Sequence, residues 1–107
     1  SRLTTKLFNE AMKNGKVVHS TFFIARIQSP AEALRISAVA PVKIAKTAAL
    51  RNRTRRRIYA AIRPLLVEVP SKANIILIAK APLLQNDDLG AVRDDIKALF
   101  VKAGLLR

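Results

Sequence analysis

Between Lys43 and Arg63 the chain reads KIAKTAALRNRTRRRIYAAIR, with eight basic side chains in twenty-one positions and no acid. They are Lys43, Lys46, Arg51, Arg53, Arg55, Arg56, Arg57 and Arg63, and Asn52 stands among them. The chemistry open to such a set is phosphate binding. Guanidinium groups crowded without counter-charge repel one another, whereas a polyanionic backbone removes the repulsion and offers each fork a bidentate partner. A merely solvated charged face interleaves Glu with Lys for i,i+4 pairing, and here the acids are missing. The stretch has no Gly or Pro and is built of good helix formers, so it is expected to be helical. At about 100° per residue, Thr54, Ile58, Ala61, Ile62 and Leu65 fall on one side. Lys46, Ala49, Arg53, Arg56, Arg57, Ala60 and Arg63 fall on the other, and Arg51 lies near the apolar side. One side can pack on a core while the other offers a cationic ridge. Ala49 and Ala60 on that ridge are small enough to let a polyanion approach the backbone. RNA or DNA binding is the expected function.

Parts for catalysis are scarce by contrast. His19 is the lone histidine and there is no cysteine, which removes zinc-type sites and thiolate nucleophiles. Asp87, Asp88, Asp94 and Asp95 could in principle hold magnesium as two-metal nucleases do. Yet Asp87 and Asp88 stand where a helix cap and dipole partner belong, and Asp94 and Asp95 suit a solvated helix face. Gly15, Gly90 and Gly104 are too scattered to cradle a phosphate. No catalytic residue, no metal site and no cofactor bound by the protein alone are expected.

The whole chain agrees with the basic stretch. Twenty Lys and Arg against seven Asp and Glu give a net charge of +13, a field that favours nucleic acid or an anionic membrane. No apolar run approaches the length that spans a bilayer, and no signal-peptide pattern opens the chain. With no cysteine either, no membrane partner and a cytoplasmic location are expected. Half the residues are hydrophobic, and 107 residues suffice for one core, so a single RNA-binding domain over 1–107 is expected.

The elements that must position the ridge can be read in order. Residues 2–14 form a short helix with Leu3, Leu7, Phe8, Ala11 and Met12 along one side, Thr4 or Thr5 as cap and Gly15 as stop. Residues 17–27 alternate and read as one strand. Val17, His19, Thr21, Phe23, Ala25 and Ile27 would share one face, and Val18, Ser20, Phe22, Ile24 and Arg26 the other. After a short loop around Pro30, residues 34–40 form a second strand, antiparallel to the first because the connection is so short. The basic helix follows from about residue 46, with a kink or break expected at Pro64 and a ragged turn over 65–69. Residues 74–80, NIILIAK, are a strand buried on both sides and parallel to 34–40 across the helical crossover. A final helix starts at Asn86 or Asp87, buries Ile96, Leu99 and Phe100, and ends at Gly104. The order αββαβα predicts an α+β, two-layer sandwich with helices mainly on one side of a small mixed sheet.

ALRNRTRRRIYAAIR, preceded by KIAKTA, resembles the signature of the bacterial ribonuclease P protein subunit, an R-N-R-x-x-R-R helix after a K-x-x-K-type loop. Phe8 and Met12 before an N-G-K turn are similar to that family's F-x-x-x-F…G-K opening, and the I-I-L-I-A-K strand and last helix fall in the family's order. The resemblance implies an accessory subunit of an endoribonuclease ribonucleoprotein that removes the 5′ leader of precursor tRNA. The catalytic part is then an RNA, magnesium arrives through that RNA, and the protein alone is inactive. Its partners would be the catalytic RNA and precursor tRNA, with one monomeric protein per RNA. Carried over by position, Arg51, Asn52, Arg53, Arg55 and Arg56, with Lys43 and Lys46 before them, bind the catalytic RNA, and Arg57 and Arg63 extend the same ridge. Phe8, Met12, Phe22, Ile24 and Arg26 would line a cleft for the single-stranded leader. The fold implied is that of a ribosomal protein's second domain, with an uncommon left-handed βαβ crossover. Met12 stands where the family has a second Phe, Arg26 where an aromatic is common, and Val42 where the loop usually has a Lys. A ribosomal or architectural RNA-binding protein is the alternative. A DNA-binding module fits less well, since no helix joined by a tight turn precedes the basic one.

Overall fold

The structure, a computed structural model, describes residues 2–106. Thr4 opens α1 (Thr5–Asn14), its side chain accepting from the Leu7 N–H. Gly15 closes it by donating to the Ala11 carbonyl, and a Cβ at Gly15 would stand 2.4 Å from that same oxygen. Only glycine lets the chain turn so tightly against the helix it has just left.

The single strand expected over 17–27 is a hairpin instead, β1 (Lys16–His19) and β2 (Phe23–Gln28). Ser20–Phe22 forms the turn, and its polar groups are gathered by Asp95 from the far end of the chain. The Asp95 carboxylate accepts from Ser20 Oγ at 2.7 Å, from the Phe22 N–H at 3.0 Å and from the Thr21 N–H at 3.2 Å. Asp95 therefore does not sit on a solvated helix face. The break reverses the strand, so the faces expected for residues 17–22 do not hold.

β3 (Arg35–Val39), α2 (Ala48–Leu66), β4 (Asn74–Ala79), α3 (Ala81–Leu84) and α4 (Leu89–Lys102) follow. The sheet order is β1-β2-β4-β3, with β4 antiparallel to β2 and parallel to β3. β3 thus runs opposite to β2, but β4 lies between them and takes the hydrogen bonds that a short connection suggested they would share. β4 is apolar on both faces, which suits it to the middle.

Register sorts the sheet into rows. Val18, Ala25, Leu77 and Ala38 align on one face, as do Ile27, Ile75 and Ile36, and all of these are buried. They form one core with Ile58, Ala61, Ile62 and Leu65 of α2 and Val92, Ile96, Leu99 and Phe100 of α4. The buried stripe of α2, Thr54 included, is the one the helical spacing predicts. The other face carries the row Val17, Arg26, Ile76 and Ser37, and beside it His19, Ile24, Ile78 and Val39. Here α1 packs: the Leu3 N–H donates to Ser37 Oγ at 3.0 Å and Arg26 Nη1 to the Met12 carbonyl at 3.1 Å. The two-layer plan therefore gains a third, partial layer, since α1 covers the face that α2 and α4 leave free.

Helix ends correct the sequence reading in three places. α2 starts at Ala48 with Thr47 as cap, and it continues through Pro64 to Leu66 without breaking there. Pro64 is exposed and Leu65 buried, so the missing N–H faces solvent. Asp88, not Asn86 or Asp87, caps α4, accepting from the Gly90 and Ala91 N–H groups. The short α3 was not expected; Pro82 sits in its first turn, where its missing donor costs nothing. Gly104, at φ 80, ends α4 in the left-handed region as expected.

Candidate nucleic-acid interface

Two surfaces meet at one end of the sheet. β3 ends at Val39 beside Ile78, and the chain then turns through 40–47 into α2. This brings Lys43 and Lys46, both exposed, to the end of the sheet where the His19, Ile24, Ile78 and Val39 row lies. The loop is tied down by Arg51, whose Nη1 donates to the carbonyl of fully buried Ala45 at 3.0 Å. Thr54, also buried, donates its hydroxyl to the Leu50 carbonyl at 2.7 Å.

Lys46 just before α2 and Asn52, Arg53, Arg56 and Arg63 along it are exposed, with Ala49 and Ala60 exposed between them. They form the expected ridge less Arg57 and with Asn52 added. Three members of the basic set are turned aside. Arg51 anchors the loop, Arg55 is half-buried and donates to Asn52 Oδ1, and Arg57 is half-buried and donates to the Asn86 carbonyl after α3. Arg57 was expected to point outward; its guanidinium instead reaches the segment before α4. Among the described residues the one ion pair is Lys97 with Glu68, at 3.7 Å, and it involves no ridge residue.

On the opposite face of the sheet, Phe8, Met12, Ile24 and Arg26 are half-buried where α1 meets β2 and β4. Arg26 is fixed at Nη1 by the Met12 carbonyl, while its buried Nε has no partner. Phe22 is not with them. It lies in the hairpin turn and packs against the core of the other face. Its expected place on the α1 face followed from one unbroken strand, and the Asp95-held turn removes it. The hairpin adds Val17 and His19, which align with Arg26 and Ile24 and are exposed. Reading 17–27 as one strand put these two on the wrong face; no local signal marked the turn.

The sequence matches the family described as Ribonuclease P over residues 2–104. The chain belongs to the ribonuclease P protein family. Membership makes it a protein component of the endoribonuclease that processes tRNA, with the ribonuclease P RNA and precursor tRNA as partners. Solved ribonuclease P proteins share its fold. That of Staphylococcus aureus is 18% identical with a TM-score of 0.81, covering 98% of this chain and 95% of its own. That of Thermotoga maritima is 21% identical with a TM-score of 0.81, covering 95% and 96%. No curated protein matches by sequence. Among the described residues no helix is long and apolar enough to cross a membrane.

Proposed function

We propose that this ribonuclease P protein docks the α2 ridge and the 43–46 loop on the catalytic RNA and holds the 5′ leader of precursor tRNA between α1 and the sheet. The observation that carries this reading is the pairing of an acid-free cationic ridge with a half-exposed apolar strip at the same end of the sheet. The ridge suits phosphates, which bind many cations at once. The strip, with half-buried Phe8 and Met12 on α1 and Ile24, Arg26 and Ile78 on the strands that α1 packs over, suits unstacked bases of a single strand.

The acids have other uses: Asp88 caps α4 and Asp95 holds the hairpin turn. Among the described residues no three of His, Cys, Asp and Glu gather where a metal could sit. Under this reading magnesium is bound by the RNA, where it supplies the activation of water, and the protein alone does not cut. One protein serves one RNA, in the cytoplasm.

The test uses the reconstituted ribonucleoprotein. Arg53→Ala with Arg56→Ala is expected to lower affinity for the catalytic RNA while leaving folding intact, because both side chains are exposed. Phe8→Ala is expected to weaken precursor tRNA by about 1–3 kcal/mol and to leave mature tRNA, which has no leader, unchanged. Equal losses for precursor and mature tRNA would remove the leader from the cleft. Cleavage by RNA-free protein given magnesium would remove the RNA from the chemistry.

A further inference from the structure

The C-terminal half of α2 holds a feature that neither surface uses. Between that helix and the edge strand β3 lies a cavity of about 260 Å³ with a floor of Leu34, Ile36, Ile62 and Leu66. Tyr59 forms one wall and Arg63 another, and Arg2 closes over the top. No acid lines it. The Tyr59 ring is held in place, since the Ala38 N–H on the free edge of β3 donates to its hydroxyl at 2.9 Å. The Arg2 guanidinium lies 4.5 Å from the centre of that ring. A fixed aromatic wall whose face already takes the flat guanidinium of Arg2, an apolar floor and an exposed arginine at the mouth match a flat ring that carries an anion.

We propose that this slot receives one unpaired nucleobase of the catalytic RNA, its ring on the Tyr59 face that the exposed Arg2 side chain covers in the free protein, its phosphate on Arg63. The inference rests on the reading that the α2 ridge meets that RNA. Arg63 belongs to both features: on the exposed side it lies about two helical turns beyond Arg56 and one beyond Ala60, and it also lines the slot. An RNA backbone following the ridge toward the helix C-terminus therefore arrives at the slot mouth. An aromatic face accepts any base, and such stacking tolerates sequence. The pocket is smaller than the usual range for drug-sized ligands, as a site for one base would be.

Tyr59 is the chain's one tyrosine and there is no tryptophan, so intrinsic fluorescence reports on this slot alone. Adenosine and uridine 5′-monophosphates are expected to quench that emission to saturation, while inorganic phosphate at equal ionic strength does not. Arg63→Ala should raise the half-saturating nucleotide concentration about tenfold, the worth of one charge-assisted contact. In the complex, Tyr59→Leu should weaken the catalytic RNA about tenfold or more, and Tyr59→Phe, which keeps the ring, should restore most of the loss. The proposal is overturned by an absence of saturable quenching, or by Tyr59→Phe weakening RNA as much as Tyr59→Leu, which would make the hydroxyl's hold on Ala38 the whole effect. Should Tyr59→Leu fail to fold, the fluorescence titration decides alone. If Arg53→Ala with Arg56→Ala weakens RNA and a folded Tyr59→Leu does not, the slot is wrong and the docking reading stands. If neither does, the docking reading itself fails.

Discussion

Asp95 and Phe22 exchange the roles that their sequence positions suggest. Asp95 looks like a solvated acid and is a structural hub, because its carboxylate takes three donors of the hairpin turn, at 2.7 to 3.2 Å. Hydrogen bonds to a charged group contribute about 1.5–3 kcal/mol each, and three on one carboxylate overlap, so Asp95→Ala is expected to cost about 2–4 kcal/mol. The check is a lower urea midpoint at unchanged slope. Phe22 looks like a base-stacking residue and packs on the main core instead. A fully buried Phe→Ala costs about 3–5 kcal/mol, and Phe22 is half-buried, so Phe22→Ala is expected to cost about 2 kcal/mol. Its effect on precursor and mature tRNA should then be equal. A selective loss of precursor binding by a fully stable Phe22→Ala protein would return that side chain to the leader cleft. Arg51 and Arg53 divide similarly: the first holds the Ala45 carbonyl and the second stands in solvent. A run of arginines in sequence is thus part scaffold and part binding surface.

The elements differ in how much of them the sequence announces. α2 announces nearly everything, because Thr54, Ile58, Ala61, Ile62 and Leu65 repeat at the helical period and every one is buried. What it hides is its passage through Pro64. The ring removes an N–H that would reach the Ala60 carbonyl, yet Ala60 and Pro64 are both exposed and water can take the partner's place. Pro64→Ala is therefore expected to raise stability by about 1–2 kcal/mol, the helical gain offset by a more flexible unfolded chain. A loss of stability would show that Pro64 shapes the helix rather than interrupts it. The α1–β1 joint is the reverse case, since Gly15 has ordinary backbone angles and is required by space: its Cβ would meet the Ala11 oxygen. Gly15→Ala is expected to destabilise by about 1–3 kcal/mol and, by lifting α1 from the sheet, to weaken precursor tRNA. The hairpin was illegible because its turn has no Gly, Pro, Asn or Asp and is closed by a residue more than seventy positions away. Strand order was half legible. A short connection suggests that β2 and β3 pair, but a strand apolar on both faces belongs in the centre, and β4 takes that place.

At the scale of the whole molecule, charge sets fold and function against each other. The chain carries +13, and among its described residues one ion pair, half-exposed and 3.7 Å long, offsets a single Lys. Such a pair contributes little, so self-repulsion acts on the folded chain nearly in full. Salt screens exposed charges over roughly 10 Å at 0.1 M, a distance comparable to the spacing along the ridge. Raising sodium chloride from low to physiological strength should therefore raise the melting temperature of the free protein. The same change should weaken RNA binding, because each neutralised phosphate releases counterions that salt puts back. If about four to six phosphates meet the ridge and its loop, log K against log salt should fall with a slope of roughly −3 to −5. Arg53→Ala with Arg56→Ala removes two contacts and should flatten that slope by roughly 2, while Phe8→Ala, on the other face, should leave it as it was. Thermal melts and binding isotherms across one salt series read both effects. A flat binding plot beside a rising melting temperature would mean that the ridge repels itself without meeting RNA. Parallel slopes for the parent and the double variant would mean that RNA binds another part of the basic surface.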